Sequence, residues 1–443
     1  MRPLFLRQTY FPRTCHLNKN TRVVRRGLVR RAMDLSSEAT QASHHRDTFA
    51  QPPIHIQEAY LHYNKVKRAE LDKDEDILYF NKELSEQQRK TWLPAGSISA
   101  SVRERACYDY LKTALPHIDP TSVPWSEFED AVIYEHKDMP GLQIVPGILP
   151  PETQMLFTSQ LMHRDLADPR HKINLEADYH IPYPPPKRQD SPDSATACPS
   201  SRESHLATHD AVPRSFFSYP QSSPTQLLHP KDAASAPSRK PLNFAQFLAS
   251  KLRWLTLGEQ YDWPTRSYGI TRTHFPHDLA RLVTGLFPHI RPESGVVLIY
   301  SGKDYMPVHR DVSEQCERAL ASFSLGCDGI FVIAKDEGDG DVEAEAKGAG
   351  AEGEEPRRLG PRRRPDKTVA IRVRSGDCIL LSGEARWAWH AMPRTIAGTC
   401  PEHLAKWPVG TPGATEEEKR AYEKWKGYMA AKRINISCRQ VWD

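Results

Sequence analysis

KRINISCRQVW (residues 432–442) alternates polar and apolar residues with a period of two, the mark of a β-strand with two unlike faces. Arg433, Asn435, Ser437 and Arg439 then share one face, and Ile434, Ile436 and Cys438 the other. Two arginines on an enclosed face are very costly unless anions meet them, and a guanidinium is shaped for bidentate recognition of a carboxylate. A dicarboxylate bound inside a barrel, beside a metal, would satisfy both. An exposed edge strand with a solvated polar face is the competing reading of this strand taken alone.

Working back from there, SGVVLIYSG (294–302), RALASFSLG (318–326), DGIFVIAK (328–335), TVAIRVRS (368–375) and DCILLSG (377–383) are short, mostly β-branched runs separated by Gly and Asp turns. Such spacing predicts a barrel or jelly roll. Helices are predicted at 54–67, at 151–166 after a Pro–Pro start, and at 277–290 just before the first of these strands. The fold class is therefore α+β: a jelly-roll core with flanking helices and a helical N-terminal extension.

His-x-Asp occurs four times, at His45/Asp47, His117/Asp119, His163/Asp165 and His309/Asp311, so context must separate them. On a helix, positions i and i+2 point about 200° apart, which excludes His163/Asp165 from gripping one ion. His45/Asp47 lies in a polar tail, and His117/Asp119 sits between two prolines. His309/Asp311 follows the extended YMPV segment (305–308), where i and i+2 can share a face. Two histidines and one carboxylate form a facial triad that leaves positions open for O₂ and an organic co-substrate, and His390 in WAWHAMPR (387–394) is the best third ligand.

Taken together and in this order, His309-x-Asp311, His390 and Arg433-x-Asn435-x-Ser437-x-Arg439 resemble the AlkB family of Fe(II)/2-oxoglutarate-dependent nucleic-acid dioxygenases. SFSLGCDGIFVI (322–333), RSGDCILLSGEARWAWHAMPR (374–394) and LRWLTLGEQYDWP (252–264) are similar to the AlkB homologue 1 branch in its fungal form. The resemblance implies a double-stranded β-helix core in which His309, Asp311 and His390 bind iron. It gives Arg433 and Arg439 the distal and metal-proximal carboxylates of 2-oxoglutarate, with Asn435 and Tyr300 in support. Trp254, Tyr261 and Trp263 fall in the family's nucleotide-recognition lid and are assigned to substrate. Two departures stand out: the family's Asn two positions before the tyrosine is Leu298 here, and its Thr in the last strand is Ser437.

The implied reaction consumes 2-oxoglutarate and O₂, releases succinate and CO₂, and oxidises a methyl group on a base of RNA or DNA. Methyladenine in RNA or tRNA, 5-methylcytosine, and N6-methyladenine in DNA are the candidate targets. The base must be unpaired or flipped out of a duplex to reach the iron. Rival readings are a 2-oxoglutarate hydroxylase of protein, such as a histone tail, and a nucleic-acid-binding member weakened by Leu298. A kinase is excluded, because the HRD of residues 309–311 has no Asn five positions on and neither DFG nor a Gly-rich phosphate loop is present.

Composition sets the limits. The 443 residues are 39% hydrophobic, and no apolar run approaches the ~20 residues of a membrane-spanning helix. The eight cysteines include no CxxC pair, which argues against a zinc ribbon or a disulfide framework. Residues 1–33 hold nine Lys/Arg and no acid, leaving 51 basic against 56 acidic groups in the remainder. The net +4 therefore belongs to the tail, and nucleic-acid binding has to come from a local basic rim. This tail suits a mitochondrial presequence; a start at Met33 would give a nuclear or cytoplasmic product. The predicted organisation is a presequence or basic tail at 1–33, a polar segment and helical extension at 34–145, and a catalytic domain at 146–443. Disordered insertions are predicted at 182–241, with 12 Pro and 11 Ser, and at 336–367, an acidic-then-basic overgrown hairpin loop.

Overall fold

A computed structural model of the chain describes residues 47–80, 83–185, 214–231, 239–271, 273–335 and 368–442. The N-terminal segment supplies β1 (Ile77–Leu78), β2 (Trp92–Ile98), β3 (Ala131–His136) and β4 (Leu142–Val145). The middle of the chain adds β5 (Tyr179–His180), β6 (His229–Pro230), β7 (Trp254–Gly258), β8 (Tyr261–Asp262) and β9 (Ser267–Tyr268). Next come β10 (Ser294–Ser301), β11 (Met306–His309), β12 (Leu320–Gly326) and β13 (Asp328–Ala334). The last four are β14 (Thr368–Val373), β15 (Cys378–Leu381), β16 (Trp389–Ile396) and β17 (Lys432–Arg439).

Two large sheets result, in the orders β1-β14-β13-β16-β11 and β2-β3-β4-β15-β12-β17-β10-β7. β17 is not an edge: it pairs antiparallel with β12 on one side and β10 on the other. Its apolar face puts Ile434, Ile436 and Cys438 out of contact with solvent, among Val297, Phe323 and Leu325. Burying each isoleucine contributes about 1.5–3 kcal/mol, enough to fix the register and so the direction of the arginines.

Alternation sorts the layers. On β13, Phe331 and Ile333 point between the sheets, while Ile330 and Val332 point outward, where the helix Ile54–Lys65 lays Ile56, Ala59 and Tyr63 on them. The outer face of the larger sheet is covered by the helices Ala100–Ala114, Pro151–Ser159 and His277–Leu286. Ala100–Ala114 and His277–Leu286 cross so closely at Gly285 that an added Cβ would lie 2.9 Å from that of Ala106. The third predicted helix continues beyond Ser159 as a π-helical turn, Gln160–Asp165. Among the described residues no helix is long and apolar enough to cross a membrane.

Two expectations need correction. The segment 34–145 is more than a helical extension: β1 pairs with β14, and β2, β3 and β4 extend the larger sheet through β15. β2 escapes a period-two reading because Pro94 and Gly96 interrupt it, at a register shift opposite β3. Within the Pro/Ser-rich stretch 182–241, residues 214–231 are placed, and Phe216 and Phe217 are wholly buried, Phe216 with its ring 5.2 Å from that of Phe247. Average composition hides this anchoring pair. The rest of that stretch from 186 to 213 and from 232 to 238, the whole of 336–367 and the tail 1–33 lie outside the described residues. β13 and β14 pair up to Ala334 and Thr368, the two ends of the predicted hairpin.

Candidate active site

Both sheets contribute to one cavity of about 430 Å³. From the smaller sheet, His309 at the end of β11 stands directly opposite His390 on β16, with ring centroids 4.3 Å apart. Asp311 follows β11 by two residues. The ligand atoms of the three side chains all lie within 4.8 Å of one another. Each imidazole is held by a ring nitrogen near a backbone carbonyl two residues before it, His309 Nδ1 to Pro307 at 2.8 Å and His390 Nδ1 to Ala388 at 3.0 Å. Donation through Nδ1 leaves each Nε2 as an acceptor for a metal.

Electrostatics keep the set in its ligating form. Burial and then the neighbouring His309 lower His390 to about 4, so its imidazole is neutral at pH 7. Burial acts to raise Asp311, but Arg439 first and the two histidines next outweigh it and hold the carboxyl well below the usual carboxylate range. Two neutral imidazoles and one ionised carboxylate with open positions fit a divalent iron.

The larger sheet supplies the cations. Arg433 is wholly buried, donates through Nη2 to Ser324 Oγ at 2.8 Å, and has no hydrogen-bond partner for Nε or Nη1. The Tyr300 ring, opposite it on β10, lies 5.6 Å from its guanidinium carbon. Arg439 donates to Glu314 Oε1 at 2.7 Å and reaches Asp311 Oδ2 at 3.1 Å, with its Nε unpartnered. Orphaned guanidinium nitrogens beside a metal-type triad suit the carboxylates of a keto-diacid. Asn435 donates to Ser322 Oγ at 2.8 Å and the Phe323 carbonyl at 3.1 Å, and stands in register with Leu298, which lines the cavity without offering a donor.

With this geometry in place, comparison with known proteins is decisive. The model of the 2OG-Fe(II) oxygenase superfamily matches residues 225–439. The N6-methyladenosine RNA demethylase ALKB1 of Pyricularia oryzae is 37% identical over 313 residues, 70% of this chain and 77% of that protein. The N6-methyladenosine RNA demethylase ALKBH of Cryphonectria parasitica is 40% identical over 238 residues, 53% of this chain and 95% of that protein. The chain belongs to the AlkB family of 2OG-Fe(II) dioxygenases. The tRNA demethylase abh1 of Schizosaccharomyces pombe is a more distant relative, 26% identical over 338 residues, covering 73% of this chain and 88% of that protein.

In this AlkB-family dioxygenase the lid residues separate. Tyr261 and Trp263, on and after β8, line the cavity, their rings 5.0 Å apart and perpendicular. Trp254 does not line it. It belongs to β7, opposite Leu298, and stacks its ring behind Trp263 at 5.3 Å, so the direct substrate contact expected of it is corrected to support of Trp263. Of the other His-x-Asp pairs, His163 is enclosed by Phe217, Trp407 and Tyr422, and Asp119 caps a short 3₁₀ turn.

Three features lay beyond the sequence reading. Glu314 is buried between Arg439 and Arg386, whose Nη2 donates to it at 2.9 Å while Nη1 donates to the Asp311 carbonyl at 2.6 Å. Tyr268 of β9 donates to the same carboxylate at 3.3 Å, tying the lid hairpin to the residues after the metal motif. The third is the strap Asp47–Pro52, which forms part of the cavity wall. Arg266, a non-glycine residue at φ 52°, donates to the Thr48 carbonyl and lies 4.4 Å over the Phe49 ring. A signal was available for Glu314 alone, as a charged residue three positions after Asp311.

Proposed function

We propose that this dioxygenase oxidatively removes methyl groups from bases in nucleic acid, with methyladenine in RNA as its substrate. One observation carries the reading: a single cavity brings together the His309/Asp311/His390 set, the under-partnered Arg433 and Arg439, and the Tyr261/Trp263 pair. Relatives named for N6-methyladenosine RNA and for tRNA favour RNA, while the relative in Arabidopsis thaliana named for DNA N6-methyladenine makes DNA the comparison substrate.

In this reading His309 Nε2, His390 Nε2 and an Asp311 oxygen hold Fe(II), which when bound supplies O₂ activation coupled to decarboxylation of 2-oxoglutarate. Arg433 receives the distal carboxylate on its two unpartnered nitrogens, and Arg439 steers the carboxylate nearer the metal. Burial pushes the Tyr300 hydroxyl far above its ordinary value, so it stays protonated and can donate to the co-substrate. Leu298, Leu320, Phe331 and Leu381 keep water from the reacting end of the cavity. Tyr261 and Trp263 present aromatic faces to an unpaired base. Hydroxylation of an N-methyl group then gives a hemiaminal that loses formaldehyde and restores the base.

The two facing sheets support a double-stranded β-helix whose catalytic unit, 146–443, is completed by strands from residues 77–145. Residues 1–33 are proposed to direct the protein to mitochondria, and a product begun at Met33 to escape that route.

Nucleoside mass spectrometry of RNA and DNA, after incubation with purified protein, Fe(II) and 2-oxoglutarate, tests the reading against Asp311→Ala. Loss of methyladenosine from RNA with wild type alone is the expected result. Identical methyl-nucleoside profiles for wild type and Asp311→Ala would overturn it.

A further inference from the structure

Outside the cavity, one cluster has no part in the chemistry above. Cys327 occupies the tight turn between β12 and β13, after Gly326 at φ +85°. Its sulfur receives backbone N–H groups from Gly398, Thr399 and Cys400, and the thiol of Cys400 as well. Successive N–H groups around one atom form an anion-binding nest, and Gly398 at φ +78° gives the left-handed turn that such a nest needs. The loop is clamped in place: the Asp328 N–H donates to Thr399 Oγ1 at 2.8 Å, and that hydroxyl donates to the Ile396 carbonyl at 2.6 Å. The Cys327 N–H is fixed to the Lys432 carbonyl at 2.7 Å. Cys400 is the more open of the two sulfurs, at the mouth of the same loop.

We infer that Cys327 and Cys400 form a reversible oxidation site, with Cys327 as the thiolate attacked by a peroxide and Cys400 as the thiol that resolves it into a disulfide. Donation from the Cys400 thiol, aided by the backbone N–H groups against the opposing effect of burial, lowers Cys327 to about 7, whereas accepting that role raises Cys400. Thiolate character is what selects a cysteine for oxidation, and a neighbouring thiol is what makes the product a disulfide. In the first step the Cys327 sulfur attacks one peroxide oxygen, an S–O bond forms, the O–O bond breaks and hydroxide leaves. In the second the Cys400 sulfur attacks the Cys327 sulfur, an S–S bond forms and the S–O bond breaks. The departing hydroxide takes the Cys400 proton. Overall the two sulfurs give an electron pair to hydrogen peroxide, which becomes two waters.

Reduced full-length protein treated with hydrogen peroxide should lose the mass of one hydrogen pair. A non-reducing peptide map should then join the peptides carrying Cys327 and Cys400, and dithiothreitol should separate them. Cys400→Ser should instead trap a sulfenic acid at Cys327, read as a dimedone adduct, and Cys327→Ser should give neither product. These readouts need no iron or substrate, so they stand or fall apart from the demethylase reading. Absence of the cross-linked peptide from folded wild type, or of the dimedone adduct from folded Cys400→Ser, would overturn the inference.

Discussion

Replacing Arg433 by methionine should make the metal-free protein more stable while disabling its co-substrate site. The guanidinium is 1% exposed, meets one hydroxyl, and leaves Nε and Nη1 without partners. Exchanging such a charge for an apolar side chain of similar length is worth about 1–4 kcal/mol. Depriving the Ser324 hydroxyl of its donor takes back about 1 kcal/mol, so the net gain is up to about 3 kcal/mol. Co-substrate binding should move the other way. Two charge-assisted hydrogen bonds to the distal carboxylate contribute roughly 1.5–3 kcal/mol each, so 2-oxoglutarate affinity should fall by about 10²–10⁴-fold. Denaturant unfolding of metal-free protein measures the first quantity, and calorimetric titration of 2-oxoglutarate in the presence of Mn(II), which binds without turnover, measures the second. An Arg433→Met protein that is less stable than wild type, or whose 2-oxoglutarate affinity stays within about tenfold of it, would refute the reasoning by showing that Arg433 is a structural cation.

Glu314→Gln should have the opposite character, destabilising the protein by about 3–5 kcal/mol because both Arg386 and Arg439 lose a buried counter-charge; a denaturant midpoint matching wild type would contradict this. Alanine at Tyr261 or Trp263 should raise the KM for a methylated oligonucleotide by the ~1–3 kcal/mol of one base–aromatic stack, with the KM for 2-oxoglutarate unchanged; equal effects on both would point to collapse of the lid. Burial, with Arg253 adding, lowers Lys432 from 10.5 to about 8. The folded state therefore binds fewer protons than the unfolded between those values, and its stability rises with pH there. Relative to wild type, Lys432→Met should have its greatest stability below pH 8 and lose that margin as pH climbs to 10.5; a margin independent of pH would dismiss the linkage. Residues 1–33 fused to a fluorescent reporter should carry it to mitochondria, and a diffuse cytosolic signal would refute that role.

What the sequence disclosed follows from periodicity. β10, β12, β13, β14, β15 and β17 are β-branched runs between Gly and Asp turns, and the two-residue period of β17 gives the facing of Arg433 and Arg439 directly. Glu314 and Arg386 stand in irregular segments, where no period assigns a direction, and their partnership appears only once β17 has brought Arg439 beside them. Composition misled at Phe216 and Phe217, because two buried rings cannot offset the prolines and serines around them in an average. The strap at Asp47–Pro52 was hidden for a related reason: its contribution to the cavity comes through backbone carbonyls bound by Arg266 and Arg310, which polar side chains do not announce.

The central place of β17 also governs when this enzyme can come into being. The strand that fills the gap between β12 and β10 is the last stretch made, four residues from the C-terminus. While it is still inside the ribosome, β12 and β10 expose unpaired edges and the helices behind them lack Ile434 and Ile436. The nascent chain therefore waits, open-edged and prone to association, until synthesis ends. A premature stop anywhere before residue 432 cannot yield a weakened enzyme, since it removes both cofactor-facing arginines and the keystone of the sheet in one stroke.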